Sequence, residues 1–155
     1  MRTRRSQSDR IAASIRLKWT ELGIGPARPA TESELEAFCT QHSIQMADDL
    51  RWYFSEVCGM EGRTWDEDCL FVASLSHISP IGFTRKWCEE PMFALGDWMT
   101  ALTLFGFSGR NTSTTNTPIF RVLGDEDSGL VDPLADSIEE FLKMYLETPE
   151  SLTLA

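Results

Sequence analysis

The stretch MADDLRWYFSEVCGME, residues 46–61, decides how the rest of this chain is interpreted. It contains two aspartates, a tyrosine, two glutamates and a cysteine, which is a composition that catalytic sites share. Its apolar residues, however, recur at the i, i+3, i+4, i+7 spacing of one helix face. These residues are Leu50, Tyr53, Phe54 and Val57. The spacing predicts a helix whose aromatic side chains belong to a core rather than to a catalytic site.

The two ends of this predicted helix carry residues suited to helix termini. Asp48 or Asp49 is expected to cap the N-terminal end, because a short carboxylate accepts hydrogen bonds from the free amides there. Gly59 is expected to adopt the left-handed conformation that ends many helices. The carboxylates and the tyrosine therefore lie at different places on the helix, and no catalytic pair is implied.

Three further helices are predicted. The first runs from about residue 9 to 22, behind a possible cap at Ser6-x-x-Asp9. The second follows the capping-box spacing Thr31-x-x-Glu34 and ends near a partly buried His42, and the last follows Ser137-x-x-Glu140 and ends at Pro149.

Between the third and the last helix, the pattern changes to short runs rich in β-branched and aromatic residues. These runs are CLFVASL, MFAL, ALTLFGF and PIFRVL. RNTSTTNT between Gly109 and Pro118 is expected to be the tip of a hairpin, and residues 124–129 a tight turn. Helices followed by strands and then a helix predict an α+β fold, with N-terminal helices, a central mostly antiparallel β-sheet and a C-terminal helix packed on the sheet.

Length and charge bound the remaining possibilities. The 155 residues suit one domain, predicted over residues 11–155 behind a flexible basic arm of residues 1–10. The formal net charge is −10; the arm contributes +3 from four Arg and one Asp, so the rest carries −13. Such a domain repels phosphate backbones, which argues against nucleic-acid binding, and attracts a basic protein partner. The alternative is that acidity only maintains solubility.

Several classes of chemistry find no support in the sequence. Phosphate-binding, dinucleotide-binding, zincin and hydrolase-elbow motifs are absent. With two His and four Cys that form no CxxC pair, the cysteines are expected to be reduced and mostly buried, and neither a metal site nor a cofactor is expected. No apolar run approaches the length of a membrane span. A cytoplasmic, non-catalytic protein without a membrane partner is therefore expected.

Two tryptophan-acid clusters are the candidate partner-binding residues. A tryptophan supplies contact area and neighbouring carboxylates steer a cationic partner. The candidates are Trp65, Asp66, Glu67, Asp68, Trp87, Glu89, Glu90, Asp97 and Trp98. We expect reversal of the charges at residues 66, 67, 68, 89 and 90 to slow association with little loss of stability. The alternative is that each tryptophan packs beneath its loop while the acids remain solvated.

The order of features over residues 31–59 is an acidic capped helix with an aromatic residue, a connector, a helix with an aromatic pair, and a glycine. The residues in these positions are Glu32, Glu34, Glu36, Phe38, Ile44, Asp49, Leu50, Tyr53, Phe54 and Gly59. Trp19 with Gly23, and the final helix from Ser137 to Leu146, extend the pattern to both ends of the chain. This pattern resembles the signature of the SUKH superfamily, which includes the yeast cell-wall assembly regulator and many bacterial immunity proteins.

Two positions depart from that signature. Met46-Ala47 stand where the family usually has Leu-Pro, and Cys58 replaces the asparagine before the glycine. Asp48 or Asp49 is still expected to cap the helix, and Gly59 is expected to supply the positive φ alone.

The resemblance implies a SUKH-like fold without catalysis, whose sheet and loops form the recognition surface. Bacterial members look like cytoplasmic immunity proteins that bind and neutralise the toxin domain of a polymorphic or contact-dependent toxin, often a nuclease. The expected function is therefore neutralisation of a cognate toxin domain by protein-protein occlusion. The alternative is a regulatory or scaffold module of the same family with no toxin partner.

Overall fold

The computed structural model describes residues 4–99 and 102–153, which form an α+β fold, as predicted. The helices are α1 (Arg4–Glu21), α2 (Glu32–His42), α3 (Asp48–Trp52, continued by a π-helix over Tyr53–Val57), α4 (Ile138–Glu147) and α5 (Glu150–Thr153). The strands are β1 (Leu70–Val72), β2 (Ser79–Pro80), β3 (Met92–Trp98), β4 (Thr103–Ser108), β5 (Ile119–Gly124) and β6 (Gly129–Ala135). Short 3-10 helices cover Leu75–His77 and Gly82–Lys86.

The sheet is antiparallel, with the strand order β1-β3-β4-β5-β6 and with β2 beside β3. The polar segment 110–117 joins β4 to β5, and residues 124–129 turn tightly between β5 and β6, as predicted. The strands β2 and β6 were not predicted from the sequence. Asp132 and Pro133 inside β6 are poor strand formers, and they are tolerated because β6 is the last strand in the sheet order.

The C-terminal helix packs on one face of the sheet, as predicted. The rings of Phe105 in β4 and Phe141 in α4 lie 5.4 Å apart, and both side chains are buried. Trp19 of α1 and Tyr145 of α4 are also fully buried, so α1 and α4 share this core with the sheet. Among the described residues, no helix combines the length and the apolar character that crossing a lipid bilayer requires.

The prediction that an aspartate caps α3 is wrong. The residue before the helix is Ala47, whose extended backbone takes the cap position but whose methyl side chain has no hydrogen-bond acceptor. Asp49 instead binds groups far away in the chain. Its carboxylate accepts hydrogen bonds from the backbone nitrogen and hydroxyl of Thr117, at 2.9 and 2.7 Å, and from the backbone nitrogen of Ile138 at 3.0 Å. Asp49 therefore ties α3 to the β4–β5 loop and to the start of α4.

The expectation that Gly59 alone supplies the positive φ at the end of this helix is also wrong. Cys58 has a φ of 73° and Gly59 a φ of 85°, so two consecutive residues are left-handed. Residues other than glycine rarely adopt a left-handed backbone conformation. Cys58 is buried, and the packing around it holds its backbone in this conformation. At Gly59 a β-carbon would overlap the backbone of Ala73 and Ser74.

The helix ends match the other predictions in part. Thr31 and Glu34 form the predicted capping box, and Ser137 accepts a hydrogen bond from the backbone of Glu140. The side chain of Glu140, however, binds the backbone of Asp136 rather than that of Ser137.

The N-terminal arm and the cysteines also differ from expectation. Residues 4–10 of the predicted arm belong to α1, whereas residues 1–3 lie outside the described residues, and Ser6-x-x-Asp9 falls within the helix rather than at its start. All four cysteines are unpaired, as predicted. Cys58 is buried, but Cys39 and Cys88 are half-buried and Cys69 is exposed, so the thiols are less buried than expected.

Candidate functional site

The predicted partner-binding residues lie at two ends of the sheet. Leu70, at the start of β1, pairs with Trp98, at the end of β3. Residues 65–68 therefore lie beside residues 97 and 98, whereas residues 87–90 precede the opposite end of β3. The seven residues of β3 extend roughly 20 Å at about 3.3 Å per residue. The nine candidates thus form two separate groups and not one compact site.

Asp66 is not available to a partner, because it is buried at 7 % exposure. Its carboxylate accepts a 2.8 Å hydrogen bond from the hydroxyl of Tyr145, which in turn accepts a 2.9 Å bond from the indole nitrogen of Trp19. The backbone nitrogens of Asp68 and Leu70 bind its other oxygen. Asp66 therefore joins α1, α4 and the start of β1.

Electrostatics keep this buried group in one protonation state. Burial raises the pKa of the Tyr145 hydroxyl above its usual range, and the negative charge of Asp66 raises it further. The hydroxyl therefore stays protonated and remains a donor to Asp66. The ammonium group of Lys18 lies 3.7 Å from the Asp66 carboxylate and 4.2 Å from the centre of the Tyr145 ring, where it balances the buried charge.

Asp97 is buried at 2 % exposure, so it is also a structural acid. It accepts a 2.8 Å hydrogen bond from the indole nitrogen of Trp65 and lies 3.4 Å from the guanidinium of Arg63. Arg63 also lies over the ring of Phe71. The alternative that each tryptophan packs beneath its loop while the acids remain solvated is therefore only partly correct here. Trp65 and Trp98 pack partly against the core, but Asp97, which is bonded to Trp65, is buried rather than solvated.

The remaining acids of the first group are exposed beside the β3–β4 connection. Glu67 and Asp68 are exposed, and the backbone nitrogen of Met99 donates a 2.9 Å bond to the carbonyl of Cys69. Met99 and Leu102 are exposed large apolar residues of this connection, and Met99 lies beside the segment that carries the two carboxylates. We call this the hairpin-end patch. It consists of Trp65, Glu67, Asp68, Trp98, Met99 and Leu102.

The second group is held differently. The indole nitrogen of Trp87 donates a 2.7 Å hydrogen bond to the backbone carbonyl of Asp125, so Trp87 packs on the β5–β6 turn. By strand register this turn lies at the same end of the sheet as Trp98, so only Glu89 and Glu90 of this group lie at the opposite end. Glu89 and Glu90 are exposed. They line a depression of about 370 Å³ that also contains Arg85 and Arg110. Because these two arginines offset the two glutamates, the lining of this depression carries no net charge, whereas Glu67 and Asp68 of the hairpin-end patch have no such offset.

The structure also contains an acidic cavity that was not predicted from the sequence. It encloses about 400 Å³ between α1, α3, the start of α4 and the β4–β5 loop, with Trp52 in its wall. Its carboxylates are Asp9, Asp48, Asp49, Glu56 and Glu139. The acids were visible in the sequence, but only the packing of three helices brings them together.

The positions of two helix ends explain why three of these five carboxylates are stable here. Asp48, Asp49 and Glu139 lie in the first turns of α3 and α4, where the helix dipole stabilises negative charge. Glu139 also accepts a 3.2 Å hydrogen bond from Ser8. Within residues 4–99 and 102–153, no group of three or more His, Cys, Asp or Glu side chains is arranged to hold a metal ion. The indole nitrogen of Trp52, a residue of the cavity wall, is buried and has no hydrogen-bond partner among the described residues.

Comparisons of this chain with models of protein families, with curated proteins and with solved structures find no match. The resemblance to the SUKH superfamily thus remains a prediction from the sequence pattern.

Proposed function

We propose that this chain is a cytoplasmic immunity protein that binds and neutralises a cognate toxin domain by covering its basic surface. It would act without catalysis and without a cofactor, as a partner of another protein and not of nucleic acid or membrane. The toxin domain is of the kind that acts on phosphate-containing substrates, such as a nuclease, because such a domain presents cations to its substrate.

The observation that carries this proposal is the charge distribution at the hairpin-end patch. The two buried acids there are already paired, Asp66 with Lys18 and Asp97 with Arg63. Glu67 and Asp68 form no salt bridge within the described part of the chain, so they leave unbalanced negative charge beside exposed apolar surface. This combination suits a protein partner with a basic surface, because charge directs the encounter and apolar contact holds the complex.

Co-expression tests the proposal. A gene next to the one for this chain should encode a large secreted protein, and its C-terminal domain should arrest growth when it is produced alone. Co-expression of this chain should restore growth, and the two purified proteins should form a one-to-one complex. The proposal is wrong if a toxic neighbouring domain remains toxic and does not bind, and a role as a regulatory scaffold would then be favoured.

A further inference from the structure

The hairpin-end patch contains two large apolar side chains that the fold does not use. Met99 is 50 % exposed and Leu102 is 62 % exposed, whereas most side chains of this kind are buried. Leu17 and Leu130 are the other exposed large apolar side chains among the described residues, and they lie on α1 and on β6. Met99 and Leu102 belong instead to one short connection, so they can enter a partner together.

Backbone hydrogen bonds hold Met99 and Leu102 themselves in place. The nitrogen of Met99 binds the carbonyl of Cys69 at 2.9 Å, and the nitrogen of Leu102 binds the carbonyl of Trp98 at 3.1 Å. The half-buried rings of Trp65 and Trp98 pack against the core nearby. Anchors that are held in place before binding lose less conformational entropy on binding, which raises affinity.

We propose that Met99 and Leu102 anchor the partner by entering an apolar pocket whose rim carries lysine or arginine side chains. Glu67 and Asp68 then pair with the rim. This inference rests on the proposed function, because it specifies how the basic partner is held. It assigns the affinity to the apolar residues and the approach to the two carboxylates.

Charge complementarity favours this partner over a second copy of the chain or a membrane. A second copy docked patch to patch would bring Glu67 and Asp68 against the same two acids, which is unfavourable. An anionic lipid surface would repel them for the same reason. A cationic rim around an apolar pocket is complementary both to the acids and to the apolar pair.

The apolar part of the inference can be tested without knowledge of the natural partner. The probe is a phage-displayed library of random peptides selected on the wild-type protein. Enriched peptides should combine apolar residues with lysine or arginine. The double variant M99S/L102S should weaken their binding about ten-fold or more, which corresponds to roughly 1.4 kcal/mol. The control L17S removes one exposed apolar side chain on α1, outside the patch, and should change binding less than two-fold.

A second pair of variants tests the acids. E67K/D68K should weaken the binding of the same peptides. E89K/E90K, at the opposite end of the sheet, should leave their binding unchanged. All four positions are exposed, so the unfolding midpoints of both variants should match that of the wild type.

The inference fails if no peptides are enriched or if the enriched peptides lack basic residues. It also fails if the control variants weaken peptide binding as much as M99S/L102S and E67K/D68K do. Failure of the growth rescue with retained peptide binding at the patch would overturn the proposed function only. Growth rescue that survives M99S/L102S would overturn this inference only.

Discussion

The hydroxyl of Tyr145 donates a 2.8 Å hydrogen bond to the carboxylate of Asp66, and this bond joins residues 79 positions apart in the chain. Both groups are buried, and the same hydroxyl accepts the indole N–H of Trp19. These hydrogen bonds therefore connect α1, α4 and the segment just before β1. An acid that looked like part of a binding surface is in fact part of the core.

Asp66→Asn should destabilise the protein by about 2 to 3 kcal/mol. The amide group that replaces Oδ2 cannot accept the Tyr145 proton, because amide nitrogen is only a donor, and Tyr145 already accepts from Trp19. Urea unfolding should show the loss. Asp68→Asn, on an exposed residue of the same loop, should change the free energy of unfolding by less than about 0.5 kcal/mol. Equal effects of the two variants would contradict this account.

Asp49→Asn should destabilise the protein by about 1 to 3 kcal/mol and loosen two distant segments. Its carboxylate accepts from Thr117 and Ile138, and one of these contacts would face an amide donor in the variant. Hydrogen exchange at the backbone amides of Thr117 and Ile138 should become faster. Asp48→Asn, its exposed neighbour, is the matched control and should leave both exchange rates unchanged.

Gly59→Ala should destabilise the protein by about 3 kcal/mol or more, since it combines a left-handed φ with overlap on the backbone of Ala73. Gly23→Ala has a similar φ of 73° but meets no atom within 4 Å, so it should cost only about 1 to 2 kcal/mol. The difference in urea midpoint between the two variants measures the overlap alone. Identical midpoints would show that the close approach has no energetic effect.

The capping box of α2 should contribute stability in a defined pH range. The Arg28 guanidinium, and hydrogen bonds from Thr31, lower the pKa of Glu34 from 4.5 to about 2. A lowered pKa in the folded state means that the contribution is complete above the unfolded pKa and is lost as the pH falls through about 2. The stability difference between the wild type and Glu34→Gln, measured by urea unfolding, should therefore shrink over this range. The stability difference between the wild type and Arg28→Gln should shrink over the same range, and a difference independent of pH would refute the assignment.

Charge reversal at the exposed acids should slow association with a basic partner. We expect E67K/D68K/E89K/E90K to reduce the association rate about ten-fold or more at low salt, with a smaller effect at high salt. Stopped-flow kinetics with the proposed toxin domain measures both rates. Asp66 is left out of this variant, because reversal of a buried charge would unfold the protein and would imitate a loss of binding. An unchanged rate at low salt would refute the role of charge in the encounter.

The sequence predicted the elements whose signals are local. The i, i+3, i+4, i+7 stripes at Leu50 and Ile138, and the Thr31 and Ser137 caps, involve neighbours within one or two helical turns, so spacing alone reveals them. The strands β2 and β6 were not predicted, because pairing with a neighbouring strand, and not their composition, makes them strands. The cap at Asp49 was wrong for a related reason, since its true partners lie 68 and 89 positions away.

The candidate site was predicted less well than the fold. Trp65, Asp66, Asp97 and Trp98 were recognised as candidates, but neither their proximity, which the pairing of β1 with β3 creates, nor their burial could be inferred from the sequence. The sequence of an aspartate next to a tryptophan is the same whether the carboxylate faces solvent or binds a buried donor such as the Tyr145 hydroxyl. Met99 and Leu102 were missed because an apolar residue in an apolar run is expected to be buried.

By itself, the sequence determined the helix faces, the turns, the α+β order and the strong negative charge, because each depends on residue type and short-range spacing. Only the tertiary structure decided which acids carry that charge at the surface. Burial depends on which elements pack together, and α1, α4 and β1 enclose Asp66 while Glu67 and Asp68 remain in water. The hairpin-end patch exists because the register of β1 against β3 places those two acids beside Met99 and Leu102.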